Sequence, residues 1–281
     1  MSKLTVKEIL NLKGKRKITA TNAVDYFTAK AVEIAGIDII AAGAGLVEYS
    51  IKGETLFRRD TLEESLLTLE GVRKGAPNTF LFTGLPYGYT FVSDEEMLRC
   101  ATALMKGGAD AVHISGSGFR IEKIKKITRE LIPCAGHLGL IPPYATWIGG
   151  LRSVGKKADE AIQIYEDALK LQEAGAIWIE LECVPHKVAA EITKRIEIPI
   201  IGIGSGPECD GQYLFDCDIR GTHDGHYAKH CKKYMNVYED SIKAFKEFRN
   251  EVESKEFPTK ANSFEIEDRE FEVFIEKLNK I

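Results

Sequence analysis

The feature that most restricts the fold of this chain is a short phrase that recurs three times, where a helical pattern meets an apolar run. It reads Ile-Ala-Gly-Ile-Asp-Ile-Ile at 34–40, Lys-Gly-Gly-Ala-Asp-Ala-Val at 106–112 and Glu-Ala-Gly-Ala-Ile-Trp-Ile at 173–179. Glycine at a helix end takes the left-handed conformation that closes the helix. A continuous apolar run is typical of a parallel strand that is buried on both faces. The recurrence therefore predicts repeated helix–strand units built around a parallel sheet.

Apolar runs with the character of buried strands occur at about eight places and alternate with helical patterns. The runs are 17–21, 37–42, 79–84, 110–115, 132–137, 176–183, 198–203 and, more weakly, 213–218. The helical patterns lie at about 24–35, 61–73, 94–107, 119–130, 157–174 and 186–195. Eight such repeats predict the α/β class and, within it, a (β/α)8 TIM barrel. A doubly wound open sheet is the alternative that these patterns leave open.

The last part of the chain is helical and strongly charged. We expect two extra C-terminal helices, at 236–253 and 265–280, joined by a polar stretch that contains Pro258. We find no linker or low-complexity tract along the chain. Residues 1–281 are therefore predicted to form a single barrel domain, with its C-terminal helices starting at about residue 236.

Composition restricts the class of partner. The chain has 38 Lys and Arg against 42 Asp and Glu, a net charge of −4, which does not favour binding to nucleic acid or to an anionic membrane. Its six cysteines are scattered and include no CxxC pair, which is typical of reduced thiols rather than of a disulfide framework. The sequence predicts a cytoplasmic protein that acts on a small molecule, with no nucleic-acid partner and no membrane partner.

Polar residues stand at the ends of three predicted strands. One strand-like stretch carries two carboxylates, Glu180 and Glu182, while His113 with Ser115 and His137 end two others. An ionised carboxylate is costly to bury without a partner, but the C-terminal ends of barrel strands form the active site. We expect these side chains to line a site in which a carboxylate acts as a base. The alternative for Glu180 is a structural acid that is hydrogen-bonded to a histidine of a neighbouring strand.

A glycine-rich phrase, Ile-Gly-Ile-Gly-Ser-Gly-Pro-Glu-Cys-Asp-Gly-Gln, occupies 201–212 after the seventh predicted strand. Backbone amides in such a loop can approach an anion or a flat ring closely. Gly204, Ser205 and Gly206 are therefore candidate cofactor-binding residues. A tight turn between strand and helix is the alternative, because any such turn favours glycine.

A cluster of histidines follows the last predicted strand. His223, His226, His230 and Cys231 are residue types that can bind a transition metal. Their spacing matches no standard zinc motif. An ordinary loop that leads into a helix is the alternative interpretation.

Several longer stretches identify a family. They are 22–26, 73–78, 108–112, 136–142 (Gly-His-Leu-Gly-Leu-Ile-Pro), 149–156, 181–185 (Leu-Glu-Cys-Val-Pro) and 198–212. With these stretches the chain resembles ketopantoate hydroxymethyltransferases from about residue 17 to about residue 260.

The resemblance implies a (β/α)8 barrel that assembles as a homo-oligomer, commonly a decamer. It implies an enzyme that makes ketopantoate from 3-methyl-2-oxobutanoate and methylenetetrahydrofolate, with Mg²⁺ chelating the 2-oxo acid so that the neighbouring C–H becomes acidic. The glutamate that removes this proton falls on Glu182, and the family's histidine falls on His137. Methylenetetrahydrofolate is thus a possible cofactor of this chain.

The family's metal site is not kept. The positions that the resemblance assigns to metal and substrate binding are Gly43, Ala44, Gly45, Gly84, His113 and Ser115. Three of them, Ala44, Gly84 and Ser115, stand where the family has acids. A hard cation needs anionic or carbonyl oxygens, so we predict that Mg²⁺ is absent from this site and that the chemistry is independent of metal. The same positions, together with Glu180, are expected to bind the substrate.

Two further positions differ from the residue types of the family. The chain has Glu180 where the family usually has an apolar residue, and His113 where it has lysine. We predict that Glu180 and His113 face each other inside the barrel as a new polar pair.

These differences from the family leave three functions open. We expect a divergent enzyme that performs aldol-type, one-carbon-transfer or other C–C bond chemistry on a 2-oxo acid or related carbonyl compound. Its catalytic residues would be Glu182, His137 and His113. Alternatively it is an ordinary 3-methyl-2-oxobutanoate hydroxymethyltransferase. The third possibility is a non-catalytic protein that binds a metabolite or serves as a partner subunit.

Overall fold

Eight parallel strands close into a barrel in which each strand pairs with its neighbours in chain order and the last pairs with the first. The structure is a computed structural model that describes residues 3–56 and 58–281, with the side chains at positions 44 and 45 outside the description. The strands are β1 (Ile18–Asn22), β2 (Ile39–Ala42), β3 (Phe80–Gly84), β4 (Ala111–Ser115), β5 (Cys134–Gly139), β6 (Ile179–Glu182), β7 (Ile200–Ile203) and β8 (Gly211–Tyr213). The closed ring confirms the predicted (β/α)8 barrel and excludes the open sheet.

Helices alternate with most of the strands along the chain, and one precedes the first strand. They are α1 (Val6–Leu12), α2 (Tyr26–Ile34), α3 (Ala44–Lys52), α4 (Leu62–Gly75), α5 (Asp94–Lys106), α6 (Phe119–Arg129), α7 (Ala145–Ile148), α8 (Ala158–Glu173), α9 (His186–Arg195), α10 (Asp216–Arg220), α11 (Val237–Ser254) and α12 (Asp268–Leu278), with short 3-10 turns at Pro142–Tyr144 and Lys260–Asn262. The start of α4 is fixed by a capping box between Thr61 and Glu64, and that of α5 by one between Ser93 and Glu96. Among the residues described, no helix has both the length and the apolar character that crossing a membrane requires.

The chain divides into two compact units. The first runs up to Ile219 and includes His226–Lys233, and the second consists of Arg220–Gly225 and Tyr234–Ile281. The barrel belongs to the first unit. The prediction of one domain over the whole chain stays a prediction.

The second unit contains α11 and α12, which agree with the two predicted C-terminal helices. Within it, the amide of Tyr238 donates to the carbonyl of Gly221 at 2.9 Å and the Tyr238 hydroxyl lies 3.1 Å from Oδ2 of Asp224. The rings of Phe248 and Phe257 pack edge to face with their centroids 5.7 Å apart.

The interior of the barrel is filled with apolar side chains. The indole of Trp178 packs edge to face against Phe80 and Phe82, with centroid distances of 5.8 and 5.2 Å. Ile9 of α1 is buried in the same interior cluster as Ile18 of β1. A second cluster fills the space between the outer faces of the strands and the surrounding helices. By contrast, His137, Glu180 and Glu182 are buried polar residues of β5 and β6.

The eighth strand was predicted in the wrong place. It was expected at 213–218, but the structure has it at Gly211–Tyr213, and Asp216–Arg220 form α10 instead. Gly211 lies against β1 so closely that a Cβ atom there would be 2.6 Å from the carbonyl oxygen of Ile18. A strand that needs glycine at its first position has too short an apolar run to be recognised from its pattern.

Candidate active site

Three neighbouring strands bring the predicted site residues together. In the parallel ladders, Ser115 of β4 is the partner of His137 of β5, and His137 is the partner of Glu180 of β6. His113 and Glu182 lie two residues from Ser115 and Glu180 on the same strands, and alternate residues of a strand point to the same side. The register therefore directs all five side chains into the barrel.

The side chains meet around one carboxylate. Oε2 of Glu180 lies 3.1 Å from Nε2 of His113 and 3.6 Å from Nδ1 of His137. The other ring nitrogen of His137, Nε2, lies 3.2 Å from Oε2 of Glu182. The predicted pairing of Glu180 with His113 is confirmed. The side chains of His113 and Glu180 are only 12% and 6% exposed, so the two groups interact in a medium that screens charge much less than water does.

Burial and charge act against each other on these groups. Burial tends to raise the pKa of Glu180, but the neighbouring His113 and His137 hold it below its usual value. Burial tends to lower the pKa of His137, but the carboxylates of Glu182 and Glu180 raise it above its usual value. Each group thus favours the charged form that its neighbours stabilise.

The backbone of Glu182 is held from two sides. Its carbonyl oxygen accepts a hydrogen bond from the amide of Leu140 at 2.8 Å, and a Cβ atom at Gly139 would stand only 2.2 Å from that oxygen. The next residue, Cys183, has φ of +52° and donates its amide to Ile203 at 2.8 Å. A left-handed backbone conformation is uncommon at residues other than glycine, and the residues that do adopt it cluster at functional sites. These contacts fix the direction of the Glu182 side chain.

A cavity of about 190 Å³ opens over this cluster. The predicted residues that line it are Gly43, Gly84, His113, Ser115, His137, Glu180 and Glu182. The predictions at Ala44 and Gly45 concern side-chain positions that lie outside the described residues. Loops supply further lining residues that the sequence did not indicate, among them Asp60, Tyr87, Tyr144 and Phe215.

Asp60 is an additional acid in this lining. Its Oδ1 atom accepts the amide of Tyr87 at 2.9 Å. Burial raises the pKa of Asp60 to about 6, and the charge of Glu48 adds to this, while the Tyr87 amide opposes it. Asp60 could not be identified from the sequence, because it lies in an irregular loop without periodicity.

The glycine-rich phrase forms a packed turn. The Ser205 hydroxyl accepts the amide of Val184 at 3.0 Å and donates to the carbonyl of Leu181 at 2.7 Å. A Cβ atom at Gly204 or Gly206 would collide with the ring of His230 or with His186. None of the three predicted cofactor-binding residues is among those lining the cavity, and their role in binding a cofactor stays a prediction.

The histidine cluster is spread over irregular chain. The Cys231 thiol lies 3.1 Å from Oδ2 of Asp218, and the ring of His230 lies against Gly204. Burial is the main reason why the pKa of Cys231 is raised to about 12, so the free thiol is protonated at neutral pH. The imidazole of His223 accepts the amide of Gly225 at 3.1 Å, and His226 is exposed.

The residues at the family's metal positions do not suit Mg²⁺. Gly84 offers no side-chain ligand and Ser115 offers one hydroxyl, and both line the cavity. The third position is occupied by alanine. Mg²⁺ is bound in proteins through carboxylates and waters, and these positions supply no carboxylate.

The comparisons with known proteins agree with the resemblance. Residues 3–260 match the family model of ketopantoate hydroxymethyltransferase. A 3-methyl-2-oxobutanoate hydroxymethyltransferase of Thermosipho melanesiensis is 40% identical over 93% of this chain and 98% of its own length. One of Acetivibrio thermocellus is 39% identical over 95% of this chain and 93% of its own length.

Solved structures share the fold at low identity. Phosphonopyruvate hydrolase in complex with oxalate and Mg²⁺ superposes with a TM-score of 0.59 at 14% identity, over 99% of this chain and 98% of that one. The structure of 2,3-dimethylmalate lyase, described as a PEP mutase/isocitrate lyase superfamily member, has a TM-score of 0.59 at 14% identity, over 94% and 92% of the two chains. At this identity, the likeness concerns the barrel alone.

Proposed function

The chain belongs to the ketopantoate hydroxymethyltransferase family, and we propose that it makes or breaks a C–C bond beside a carbonyl group without the family's Mg²⁺ site. The substrate class is a 2-oxo acid or a related carbonyl compound. The observation that carries the proposal is that Glu182 lies in the cavity wall beside the His113–Glu180–His137 cluster, while the positions of the three family acids hold Ala44, Gly84 and Ser115.

Glu182 is the base in this proposal. Its carboxylate removes a proton from the carbon next to the substrate carbonyl, so that the C–H electron pair moves towards the carbonyl oxygen as an enolate. The carbanion then forms a bond to an electrophilic carbon such as a one-carbon unit, and in the reverse direction this bond breaks. A positioned base contributes about 10²–10⁴-fold in rate.

The cluster of His113, Glu180 and His137 is the electrophilic side of the site. Imidazole groups in a nearly buried site can stabilise a developing enolate oxygen more strongly than water does, because they are already oriented. Removal of three acids also makes the cavity less suited to a substrate that is chelated by Mg²⁺.

The ordinary hydroxymethyltransferase reaction is a second candidate. It is favoured by the names of the relatives at 34–40% identity and by the position of Glu182, which the resemblance assigns to the base.

Deuterium exchange at C3 of 3-methyl-2-oxobutanoate in D2O, followed by proton NMR, tests the proposal. We expect exchange that does not depend on added Mg²⁺ and that falls about 10²–10⁴-fold in Glu182→Gln. Glu208→Gln, which changes an exposed acid, is the matched control. Exchange only when Mg²⁺ is added would favour the ordinary reaction. The absence of exchange by the wild type in every condition would contradict both for this substrate.

A further inference from the structure

We propose that His113, His137 and Glu180 bind a divalent transition-metal ion, with Zn²⁺ the best match, through Nε2, Nδ1 and Oε2 respectively. In the proposed function, this ion is the electrophile of the cluster, and that role rests on the proposed function. Binding of the ion does not depend on it. The proposed ion departs from the expectation of metal-independent chemistry, because it is a transition metal held by residues other than those at the three positions of the family's acids.

The distances between the three ligand atoms suit a tetrahedral ion. All three lie within 4.8 Å of one another. Oε2 of Glu180 lies 3.1 Å from the His113 nitrogen and 3.6 Å from the His137 nitrogen. Zn²⁺ binds such ligands at about 2.0–2.2 Å, and tetrahedral geometry then separates neighbouring ligands by roughly 3.3–3.6 Å. The two distances from Oε2 of Glu180 therefore lie close to this range, and the separation of the two histidine nitrogens does not exceed 4.8 Å.

The donor types select a particular class of metal. Two imidazoles and one carboxylate are the ligands of several catalytic zinc sites, whereas Mg²⁺ and Ca²⁺ favour an all-oxygen set. Three protein ligands leave a fourth position open, and here all three ligands line the cavity. A carbonyl oxygen or water in the cavity can therefore complete the coordination. The family positions at Gly84 and Ser115 are not part of this ligand set.

A neighbouring carboxylate prepares His137 for metal binding. Nε2 of His137 lies 3.2 Å from Oε2 of Glu182. A carboxylate on one ring nitrogen favours the tautomer that carries its proton there, which leaves the lone pair of Nδ1 directed at the metal position. In that tautomer, the lone pair of Nδ1 faces the negatively charged carboxylate of Glu180, and the two repel each other. A cation between them removes this repulsion.

The contact of His113 with Glu180 is short but poorly directed. The buried Nε2 atom of His113 lies 3.1 Å from Oε2 of Glu180, yet the pair does not have the geometry of a well-formed hydrogen bond. Buried polar atoms in proteins are nearly always paired. An ion at the centre of the cluster would give this nitrogen a partner in the direction of its lone pair.

Metal binding to the full chain tests the inference without reference to activity. The protein is depleted with a chelator, then titrated with Co²⁺ as a spectroscopic substitute for Zn²⁺, and the visible absorption and the bound metal per chain are measured. We expect one ion per chain with the intense visible bands of a tetrahedral site, and displacement of Co²⁺ by Zn²⁺. Glu180→Gln and His113→Asn should each weaken binding by at least about tenfold, and Glu182→Gln should weaken it by about 10–100-fold through His137.

The controls separate this inference from the proposed function. Asp60→Asn changes another acid of the cavity wall and should leave Co²⁺ affinity unchanged, and circular dichroism verifies that each variant is folded. An absence of Co²⁺ binding by the folded wild type, or binding that Glu180→Gln leaves unchanged, would overturn the inference. Binding without any deuterium exchange would support the metal site while contradicting the proposed function for 3-methyl-2-oxobutanoate.

Discussion

Nε2 of His113 on β4 lies 3.1 Å from Oε2 of Glu180 on β6, across the intervening strand β5. Both residues occupy positions where the family resemblance implies other residue types. Two residues that differ from the family, on separate strands, are therefore in direct contact. His137 lies on the strand between them and contacts the same carboxylate oxygen, so the new pair is built around a residue that the family retains.

Restoring carboxylates at the family positions should create a site for a hard cation. In Gly84→Asp/Ser115→Glu, two carboxylates enter the cavity, and a Cβ atom at Gly84 meets only His113 Nδ1, at 3.8 Å, so there is room for the first. We expect Mn²⁺ to bind at least about tenfold more tightly than to the wild type, measured by electron paramagnetic resonance of free Mn²⁺. Gly84→Asp/Ser117→Glu, with the second acid outside the cavity lining, is the control. Equal affinity in the two variants would show that the cavity is not the binding place.

Gly139→Ala should destabilise the barrel through the backbone of Glu182. The new Cβ would stand 2.2 Å from the Glu182 carbonyl oxygen, and φ at this position is +92°. We expect a loss of about 2 kcal/mol or more in the free energy of unfolding, measured with urea. Gly149→Ala has a similar φ of +86° but nothing within 4 Å, so it should cost only about 1 kcal/mol. Equal losses would mean that the close approach to Glu182 is unimportant.

Glu48→Met should stabilise the protein. Glu48 is 0% exposed, and neither of its carboxylate oxygens has a hydrogen-bond partner among the residues described. Burial of an unpaired polar group costs about 1–3 kcal/mol, and methionine fills a similar volume without that cost. We expect a gain of about 1–3 kcal/mol in urea unfolding. Glu63→Met, at an exposed position of α4, should change stability by less than about 0.5 kcal/mol. A loss of stability in Glu48→Met would indicate that the carboxylate is needed.

Asp60 should make stability fall as the pH rises from about 4 to about 6. Its pKa in the folded protein is about 6, above the ordinary value of 3.8, so the folded state holds more protons than the unfolded state in this window. In Asp60→Asn this dependence is absent, while the amide oxygen can still accept the Tyr87 amide. The variant should match the wild type below pH 4 and exceed it by about 1–3 kcal/mol above pH 6. A constant difference across urea titrations from pH 4 to 8 would contradict the raised pKa.

The sequence was sufficient for most of the barrel because buried parallel strands give continuous apolar runs. The prediction at 110–115 agrees with β4 at Ala111–Ser115, and that at 198–203 with β7 at Ile200–Ile203. The position of the eighth strand was predicted wrongly because close packing requires glycine at position 211, and glycine is typical of a loop. Helix α3 (Ala44–Lys52) was also missed, since it begins directly after Gly43 without a side-chain cap.

The centre of the site was predictable, but its walls were not. Polar residues in an apolar strand have few explanations, and Glu180 and His113 were paired because both differ from the residue types that the family resemblance implies. Asp60 and Tyr144 reach the cavity from segments outside the strands, and their placement depends on how distant parts of the chain pack. The burial that shifts the pKa of Asp60 is a property of the assembled cavity, and no local pattern contains it.

The packing of Trp178 under the cluster gives the protein an optical reporter of its own site. The chain has two tryptophans. Trp178 is 0% exposed and stands two residues before Glu180, whereas Trp147 is 91% exposed. In Trp147→Phe, all indole fluorescence comes from one emitter in a dry environment beside the charged groups. Its emission wavelength and lifetime then depend on the electric field at the floor of the cavity. Binding of a ligand in the cavity can therefore be followed in real time without a label.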